Sequence, residues 1–208
     1  ALIIRIKAAV VIIEKNLKDL TAELGRLAQK YRTTVMIGRT RNQNASPIVF
    51  ALKIVNWLAP LQRQQQRLTE LLPRLLVVQF GGAAGTNAAL GNKGGEVNSA
   101  LAATLGLAAA GSAWHAQRDN IVEFSNWLSM TAGQIGKMAQ DILLMAQNEV
   151  GEIRFSGAGK SSTMPNKSNP VLLETLLSLA GYCRGQSDLM GSTLLVSHER
   201  DGVCMSLD

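Results

Sequence analysis

Apolar residues recur in steps of three and four along the first 30 positions of the chain. This spacing places them on one face of an α-helix, because about 3.6 residues complete a helical turn. The pattern predicts a first helix of about eight turns. Its apolar face consists of Leu2, Ile6, Val10, Ile13, Leu17, Leu20, Leu24 and Leu27.

The helical period returns in three later segments. A second helix is predicted from near Pro47, which suits a first turn, towards Pro73, with Pro60 as a candidate kink. A shorter third helix is predicted over residues 96–107, and a fourth from about Asn120. The apolar positions of the second and fourth helices are Leu52, Val55, Leu58, Leu61 and Leu68, and Ile121, Phe124, Leu128, Ile135, Met138, Ile142 and Met145.

Polar and glycine-rich segments separate these helices. The segment QFGGAAGTNAALGNKGG, residues 79–95, is expected to form a loop. A fifth helix is predicted with Asn169 as its N-cap and Pro170 as its first residue. Its apolar positions are Leu172, Leu176, Leu179 and Cys183.

These patterns predict the fold class. No segment alternates with a period of two, so we predict an all-α fold, an elongated bundle of long helices that forms one domain over residues 1–208. Apolar faces of this length also predict that some helices pack against other subunits.

Composition agrees with a helical domain, because 47% of the 208 residues are hydrophobic and only 4% are aromatic. Cys183 and Cys204 have neither metal-ligand spacing nor the density of a secreted disulfide scaffold, so we expect a reducing cytoplasm. The apolar opening ALIIRIKAAVVII is interrupted by Arg5 and Lys7. It is shorter than the roughly 20 residues that span a bilayer, and we expect neither a membrane span nor a signal peptide.

The formal net charge of +6 bears on the class of partner that the chain is expected to bind. Lysine and arginine are scattered along the predicted helices, without the interleaved aromatic residues that stack on bases. We therefore expect a small anionic molecule as the partner, with no nucleic acid and no membrane. Because the chain has only two histidines and its cysteines lack ligand spacing, we also expect no metal and no cofactor.

The segment SGAGKSSTMPNKSNP, residues 156–170, contains part of a phosphate-binding pattern. Gly159, Lys160 and Ser161 match the end of G-x-x-x-x-G-K-[ST], but Arg154 stands where the first glycine is required. The segment also follows a predicted helix, whereas a phosphate-binding loop of this type follows a strand. We therefore do not expect nucleotide binding here.

The second half of that segment resembles the G-S-S-x-M-P-x-K-x-N-P signature of the fumarase/aspartase superfamily. Residues 38–47, GRTRNQNASP, resemble the family block G-R-T-x-x-Q-x-A-x-P, and HERD at residues 198–201 resembles a later substrate-binding segment. Members of this superfamily add to, or eliminate across, a double bond beside a carboxylate. The resemblance runs through nearly the whole chain.

Within the superfamily, the segments QFGGAAGT, WHAQRD and NEVGE most resemble the bacterial 3-carboxy-cis,cis-muconate cycloisomerases. Other members carry a histidine after the R-T pair, where this chain has Arg41. The resemblance implies cofactor-independent, reversible lactonisation of a muconate tricarboxylate in the degradation of protocatechuate, an aromatic acid. It also implies a cytoplasmic homotetramer with active sites shared between subunits. The chain resembles the family's central helical domain without its small terminal domains.

The resemblance assigns roles to residues of the signature. Ser161 is expected to be the general base, while Lys167 and Asn169 hold the substrate carboxylate. Because removal of a proton next to a carboxylate gives an aci-carboxylate dianion, stabilising this charge is a larger task for the site than moving the proton. Gly157 and Gly159 would let the loop bend and close over the substrate. The other residues expected to bind substrate are Arg39, Thr40, Gln43, His115, Gln117, Ser162, Met164 and Arg200.

Several of these residues also have purely structural explanations. Thr40 and Gln43 suit a link between a loop and a helix end. His115 follows Trp114 and suits a half-buried structural position. Arg200 suits a surface ion pair with Glu199 or Asp201.

Departures from the family pattern leave the substrate open. They comprise Arg41, Asn42, Asn44, Lys160, Asn166 and Ser168. The alternatives are a fumarate-releasing lyase of the adenylosuccinate lyase type and a catalytically inactive helical assembly protein.

Overall fold

The computed structural model describes residues 1–155, 159–160 and 168–202, and five α-helices account for most of them. The all-α prediction is therefore confirmed. Within the described residues, none of the helices is long and apolar enough to cross a membrane. The helices are α1 (Leu2–Lys30), α2 (Phe50–Leu75), α3 (Gly94–Leu105), α4 (Asp119–Met145) and α5 (Val171–Gly191).

Helix α1 shows how its apolar pattern is used. Its fully buried apolar side chains lie seven residues apart, which keeps them in one seam along the helix. The intervening members of the predicted face are half-buried, whereas Val11 and Ile12 are 64% and 63% exposed. The buried seam consists of Ile3, Val10, Leu17 and Leu24.

A β-hairpin between α1 and α2 was not predicted. Strands β1 (Val35–Thr40) and β2 (Gln43–Val49) pair antiparallel, and Arg41 and Asn42 form the turn with φ values of 51° and 60°. The strands are mostly exposed, so no alternation of apolar and polar residues marks them in the sequence. Because a two-stranded sheet has free edges, it accepts Pro47 in β2.

The predicted helix boundaries shift accordingly. Helix α2 begins at Phe50 and not near Pro47, and it continues through Pro60 to Leu75. Helix α3 starts and ends two residues earlier than predicted, after a short 3₁₀-helix at Ala88–Lys93. Helix α5 begins at Val171, because the Pro170 carbonyl accepts the N–H of Glu174 and therefore occupies the N-cap position predicted for Asn169.

A second, very short pair of strands flanks the signature segment. Strand β3 (Gly159–Lys160) pairs antiparallel with β4 (Ser168–Asn169), so that Gly159 faces Asn169 and Lys160 faces Ser168. The backbone on both sides of residues 161–167 is therefore joined by a ladder.

The chain forms two compact units. Unit 1 comprises residues 1–18, 64–128 and 186–208, and unit 2 comprises residues 19–63 and 129–185. In unit 1, the Trp127 indole donates to the Gln64 carbonyl (2.9 Å) and stacks on Phe124. In unit 2, Gly136 allows close approach of α4 and α5, because a Cβ there would lie 2.9 Å from the Cβ of Ala180.

Candidate active site

The glycine-rich loop after α2 is anchored within unit 1 by backbone and tryptophan hydrogen bonds. Val77 bridges to Ala108, beyond the end of α3, and the Val78 amide donates to the Ala108 carbonyl at 2.8 Å. The Trp114 indole donates to the Val78 carbonyl at 3.0 Å, and the Trp114 amide donates to the Gln79 side chain at 2.9 Å. These bonds hold the WHAQRD segment against the start of the QFGGAAGT loop.

Gly81 brings that loop next to His115. A Cβ at Gly81 would lie 2.4 Å from the Cβ of Ala113 and 3.3 Å from His115 Nε2, so any side chain would force the segments apart. Gly82 and Gly85 have φ values of 66° and 86°, a conformation that glycine adopts without strain. The first part of the predicted loop, residues 79–87, is therefore irregular as predicted, whereas Ala88–Lys93 form a 3₁₀-helix and Gly94 begins α3.

His115 is a half-buried histidine with an altered acidity. Burial lowers its pKa, the nearby Arg200 charge lowers it further, and a backbone hydrogen bond with Gly82 opposes both. The imidazole is therefore neutral at pH 7. Its Nε2 is buried without a hydrogen-bond partner among the described residues, and such an atom is costly unless a ligand or water meets it.

A cavity of about 460 Å³ opens beside His115 in unit 1. Most of its wall is apolar, and Gln79, Arg118, Arg200 and the acidic Asp201 add polar groups. Among the described residues, Arg200 does not form the surface ion pair with Glu199 or Asp201 that was its structural alternative. The apolar lining consists of Leu2, Ile3, Ile4, Val77, Val78, Leu101, Leu105, Leu107 and Trp114.

This cavity suits an anion that has an apolar body. Its volume lies within the range of about 300–1,000 Å³ that is typical of small-molecule sites. Arg200 offers a fork of N–H donors for a carboxylate, and neutral His115 does not add a second full charge. The structure thus brings together two of the predicted substrate-binding residues, His115 and Arg200.

Unit 2 holds Arg39 and Thr40, which lie at the turn end of strand β1. The Arg39 guanidinium donates to both oxygens of Glu152, at 3.0 Å and 2.8 Å, and this bond raises the arginine pKa. Of the two side chains, 29% and 18% of the surface is exposed. The guanidinium predicted to bind substrate is therefore occupied by a carboxylate of the chain itself.

Asp141 on α4 forms a second ionic cluster in unit 2. Its carboxylate accepts the Trp57 indole N–H at 2.7 Å and a hydrogen bond from Lys137. Burial opposes ionisation, but these two hydrogen bonds and the charges of Lys53 and Lys137 hold the pKa of Asp141 below its usual value. The carboxylate stays charged because its partners outweigh the cost of desolvation.

A wider cavity of about 810 Å³ lies beside this cluster. Arg39 and Thr40 line it, together with Lys53, Arg63 and Lys137. Two of these cations are bound to carboxylates of the same unit, Arg39 to Glu152 and Lys137 to Asp141. The charge of Lys53 also lies near Asp141.

The remaining predicted residues fall in three groups. Gln43 is exposed and pairs with Thr40 across the hairpin turn, and Gln117 is exposed and donates to Ser112 at 3.4 Å. Neither lines one of the two cavities. Asn169 is half-buried and paired with Gly159. The others lie outside the described residues: Ser161, Ser162, Met164 and Lys167.

The sequence analysis missed Glu152, Trp57 and the lysines around Asp141. Only one signal was available locally, because Lys137 and Asp141 are four residues apart on one helix face. Trp57 and Asp141 are 84 residues apart, and Arg39 and Glu152 are 113 apart. No spacing rule connects residues at such distances. Within the described ranges, no group of three histidine, cysteine or acidic side chains is arranged to hold a metal ion.

A family model described as lyase matches residues 1–185. A 3-carboxy-cis,cis-muconate cycloisomerase of Pseudomonas aeruginosa is 41% identical over 202 residues, which are 96% of this chain and 44% of that protein. Trans-aconitate decarboxylase 1 of Mycosarcoma maydis is 36% identical over 203 residues, 96% of this chain and 41% of that protein.

A solved structure agrees with these relatives. The crystal structure of 3-carboxy-cis,cis-muconate lactonizing enzyme from Pseudomonas putida matches with a TM-score of 0.94 and 40% identity, and covers 99% of this chain and 47% of that one. The chain therefore spans less than half the length of the relatives that it matches.

Proposed function

The chain belongs to the lyase family whose model matches its residues 1–185, and we propose that its protein lactonises 3-carboxy-cis,cis-muconate reversibly. The observation that carries this proposal is the 41% identity to a 3-carboxy-cis,cis-muconate cycloisomerase over 96% of the chain. The 0.94 TM-score with a lactonizing enzyme of the same substrate also supports it.

The reaction needs a site for several carboxylates and a group that moves one proton. In the lactonising direction, a carboxylate oxygen adds to one carbon of a C=C bond and the neighbouring carbon gains a proton. In reverse, a base removes that proton and the C–O bond breaks. Negative charge grows on the carboxylate beside the reacting carbon, so fixed cations and N–H donors stabilise the transition state.

The unit 1 cavity is suited to hold one of these carboxylates. Arg200 supplies the charge, and the apolar wall formed around Trp114 accommodates the carbon skeleton. His115 Nε2, which has no partner among the described residues, is available for a substrate oxygen or a water. We assign substrate binding to His115 and Arg200 on these grounds.

The signature residues complete the proposed mechanism. Ser161 acts as the base, and Lys167 and Asn169 hold the carboxylate on which charge develops. The same assignment places Thr40, Gln43, Gln117, Ser162 and Met164 around the substrate. For Arg39 we propose a different role, argued below, because its guanidinium is bound to Glu152.

Arg41 separates this function from the fumarate-releasing alternative. The fumarase and adenylosuccinate lyase types carry a histidine at this position of the resembling block, whereas the hairpin turn here presents an exposed Arg41 in the left-handed conformation. A relative whose name refers to trans-aconitate, also a tricarboxylate, supplies a third substrate for comparison.

One assay of the full-length protein separates these functions. Incubation with 3-carboxy-cis,cis-muconate is expected to remove the ultraviolet absorbance of its conjugated double bonds without release of fumarate. Adenylosuccinate and trans-aconitate serve as parallel substrates. Release of fumarate from adenylosuccinate, loss of CO₂ from trans-aconitate, or turnover of none of the three would each contradict the proposal.

We also propose that the protein assembles as a cytoplasmic homotetramer with shared active sites. Exposed apolar side chains on α1 and α5 support assembly, since burying them stabilises a complex. We expect light scattering to give the mass of a tetramer at micromolar concentration, and a stable monomer would contradict the proposal. The side chains include Val11, Ile12, Leu172, Leu179 and Tyr182, which are 64%, 63%, 74%, 52% and 64% exposed.

A further inference from the structure

The Arg39–Glu152 ion pair joins two segments that carry most of the proposed active-site residues of unit 2. Arg39 lies opposite Asn44 in the hairpin, directly before Thr40, and the two-residue turn follows. Its backbone is therefore part of the hairpin next to the turn. Any displacement of Arg39 also displaces Thr40, because the two residues are neighbours on one strand.

Glu152 is held from the other side by the end of α4. Its amide donates to the Met145 carbonyl at 2.9 Å, and the amide of Gly151, which has a φ of 62°, donates to the Gln147 carbonyl at 2.7 Å. The glutamate thus projects from a closed turn at the C-terminus of the helix. From Glu152 the chain continues to β3, whose partner β4 leads into α5.

The geometry of the Arg39–Glu152 ion pair favours a role in orienting the two segments. Each of the two terminal guanidinium nitrogens donates to one carboxylate oxygen, and such a fork fixes orientation as well as distance. The pair is also partly shielded from water, whereas most ion pairs on protein surfaces are freely solvated and contribute little. An isolated pair of this kind orients two segments more than it stabilises the whole fold.

We propose that Arg39 and Glu152 are positioning residues, which hold the Thr40 turn and the segment leading into residues 156–170 in register for the reaction. The kinetic part of this inference rests on the proposed function. The role differs from substrate binding in a measurable way, because a positioning residue acts mainly on kcat and a binding residue mainly on KM.

Unit 1 offers a matched control. Arg74 on α2 donates to both oxygens of Glu123 on α4, at 3.0 Å from Nε and 2.5 Å from the terminal nitrogen. The two side chains are 57% and 42% exposed, and the pair joins helices and not loops. Arg74→Gln therefore removes the same chemical group without touching the hairpin or the signature segment.

The first measurement is hydrogen exchange followed by mass spectrometry on the full-length protein. We expect Arg39→Gln and Glu152→Gln to raise exchange on the order of tenfold in peptides covering residues 38–46 and 150–155, because the contact that closes both segments is lost. Arg74→Gln should leave both peptides unchanged. This measurement needs no substrate, so it tests whether the pair holds the two segments even if the proposed substrate is wrong.

The second measurement is steady-state kinetics with the same variants. Arg39→Gln and Glu152→Gln are expected to lower kcat by about 10–100-fold and to change KM by less than about threefold, since small misplacement of reacting groups is costly. The exchanged pair, Arg39→Glu with Glu152→Arg, should recover part of the lost kcat. Arg74→Gln should match the wild-type protein.

Three results would overturn the inference. Unchanged exchange in both peptides would show that the pair does not hold the segments. A rise in KM with normal kcat would return Arg39 to substrate binding. Increased exchange with normal kcat and KM would make the pair structural only. Failure of the wild-type protein to turn over muconate would count against the proposed function, and the exchange result would still show whether the pair holds the two segments; the kinetic comparison would then use the substrate that the protein does turn over.

Discussion

The two cavities treat a half-buried ionisable group in opposite ways. In unit 1, burial and the Arg200 charge both lower the pKa of His115, so the ring is neutral. In unit 2, burial works against ionisation of Asp141, but the hydrogen bonds from Lys137 and Trp57 and the charge of Lys53 prevail. Desolvation penalises the charged form in both places, and the neighbours decide the outcome.

This difference separates a site for a ligand from a structural cluster. The unit 1 cavity contains a histidine nitrogen without a partner in the described part of the chain, and an arginine that forms no ion pair there. In unit 2, Arg39 and Lys137 are bound to Glu152 and Asp141, and Lys53 lies near Asp141. The first cavity therefore offers a few polar groups beside an apolar wall, whereas the second is lined by a cluster of charged side chains.

The largest expected effect is that of Ser161, which lies outside the described residues. Ser161→Ala removes the proposed base and leaves the other carboxylate-binding residues intact. We expect kcat to fall by about 10²–10⁴-fold in a folded, assembled protein, with little change in KM.

Ser162→Ala is the matched variant, and we expect it to have a smaller effect, mainly on affinity. Normal turnover of Ser161→Ala together with loss of turnover in Ser162→Ala would transfer the role to the second hydroxyl. Activity in both variants would mean that the base is elsewhere.

A second prediction sharpens the comparison by removing one cation from each cavity. Arg200→Gln should raise KM by about 10–100-fold, since a hydrogen bond to a charged group contributes roughly 1.5–3 kcal/mol. Lys137→Gln should change KM by less than about threefold, because Lys137 already binds Asp141. A larger rise in KM for Lys137→Gln than for Arg200→Gln would assign carboxylate binding to unit 2.

The third prediction concerns stability. Asp141→Ala leaves the Trp57 indole N–H without its acceptor and removes the carboxylate shared by two lysines. We expect a loss of about 1–3 kcal/mol in the free energy of unfolding, measured with urea. Glu123→Ala breaks the more exposed pair of unit 1 and should cost less. Equal losses in the two variants would contradict the structural role of the Asp141 cluster.

The sequence predicts those parts of the fold whose interacting residues lie close together along the chain. The helical face of α1 followed from local spacing, and so did the start of α4, to within one residue. The hairpin did not follow from local spacing, because its strands are mostly exposed and carry no alternation of apolar and polar residues. Val35, for example, is apolar but 71% exposed. The partners of Asp141 and Arg39 depend on the packing of distant segments, which no local pattern records.

The same distinction between local patterns and distant partners applies to the residues of the candidate site. Motifs in the sequence identified His115, Arg200 and Thr40, all of which line cavities. They did not reveal that Arg39 is bound to Glu152, since a motif identifies a residue without its partner. Gln43 and Gln117 matched the family blocks but are exposed in the described structure.

The smallest expected effect is on the pH dependence of stability. His115 and Asp141 should each lower the free energy of unfolding in a different pH range. A lowered pKa means that the unfolded chain binds a proton more readily than the native one, so stability falls as pH decreases. For His115 this loss begins as pH falls below its ordinary value of 6.5 and ends below the lowered native pKa. For Asp141 it begins only near 3.8 and continues through the lowered pKa.

Urea unfolding at a series of pH values would resolve the two windows. His115→Gln should flatten the curve between about pH 6.5 and the native pKa of the histidine, without changing the acid limb to which Asp141 and Glu123 contribute. An unchanged curve between those limits would mean that the His115 environment does not favour the neutral ring.

The most direct test of the proposed function is the proton NMR spectrum of the product formed from 3-carboxy-cis,cis-muconate by the full-length protein in D₂O. We expect a lactone that carries one deuterium on the carbon beside a carboxylate, because the proton added there comes from an exchangeable group of the protein. Fumarate, a decarboxylated product, or unchanged substrate after prolonged incubation would contradict the proposed function.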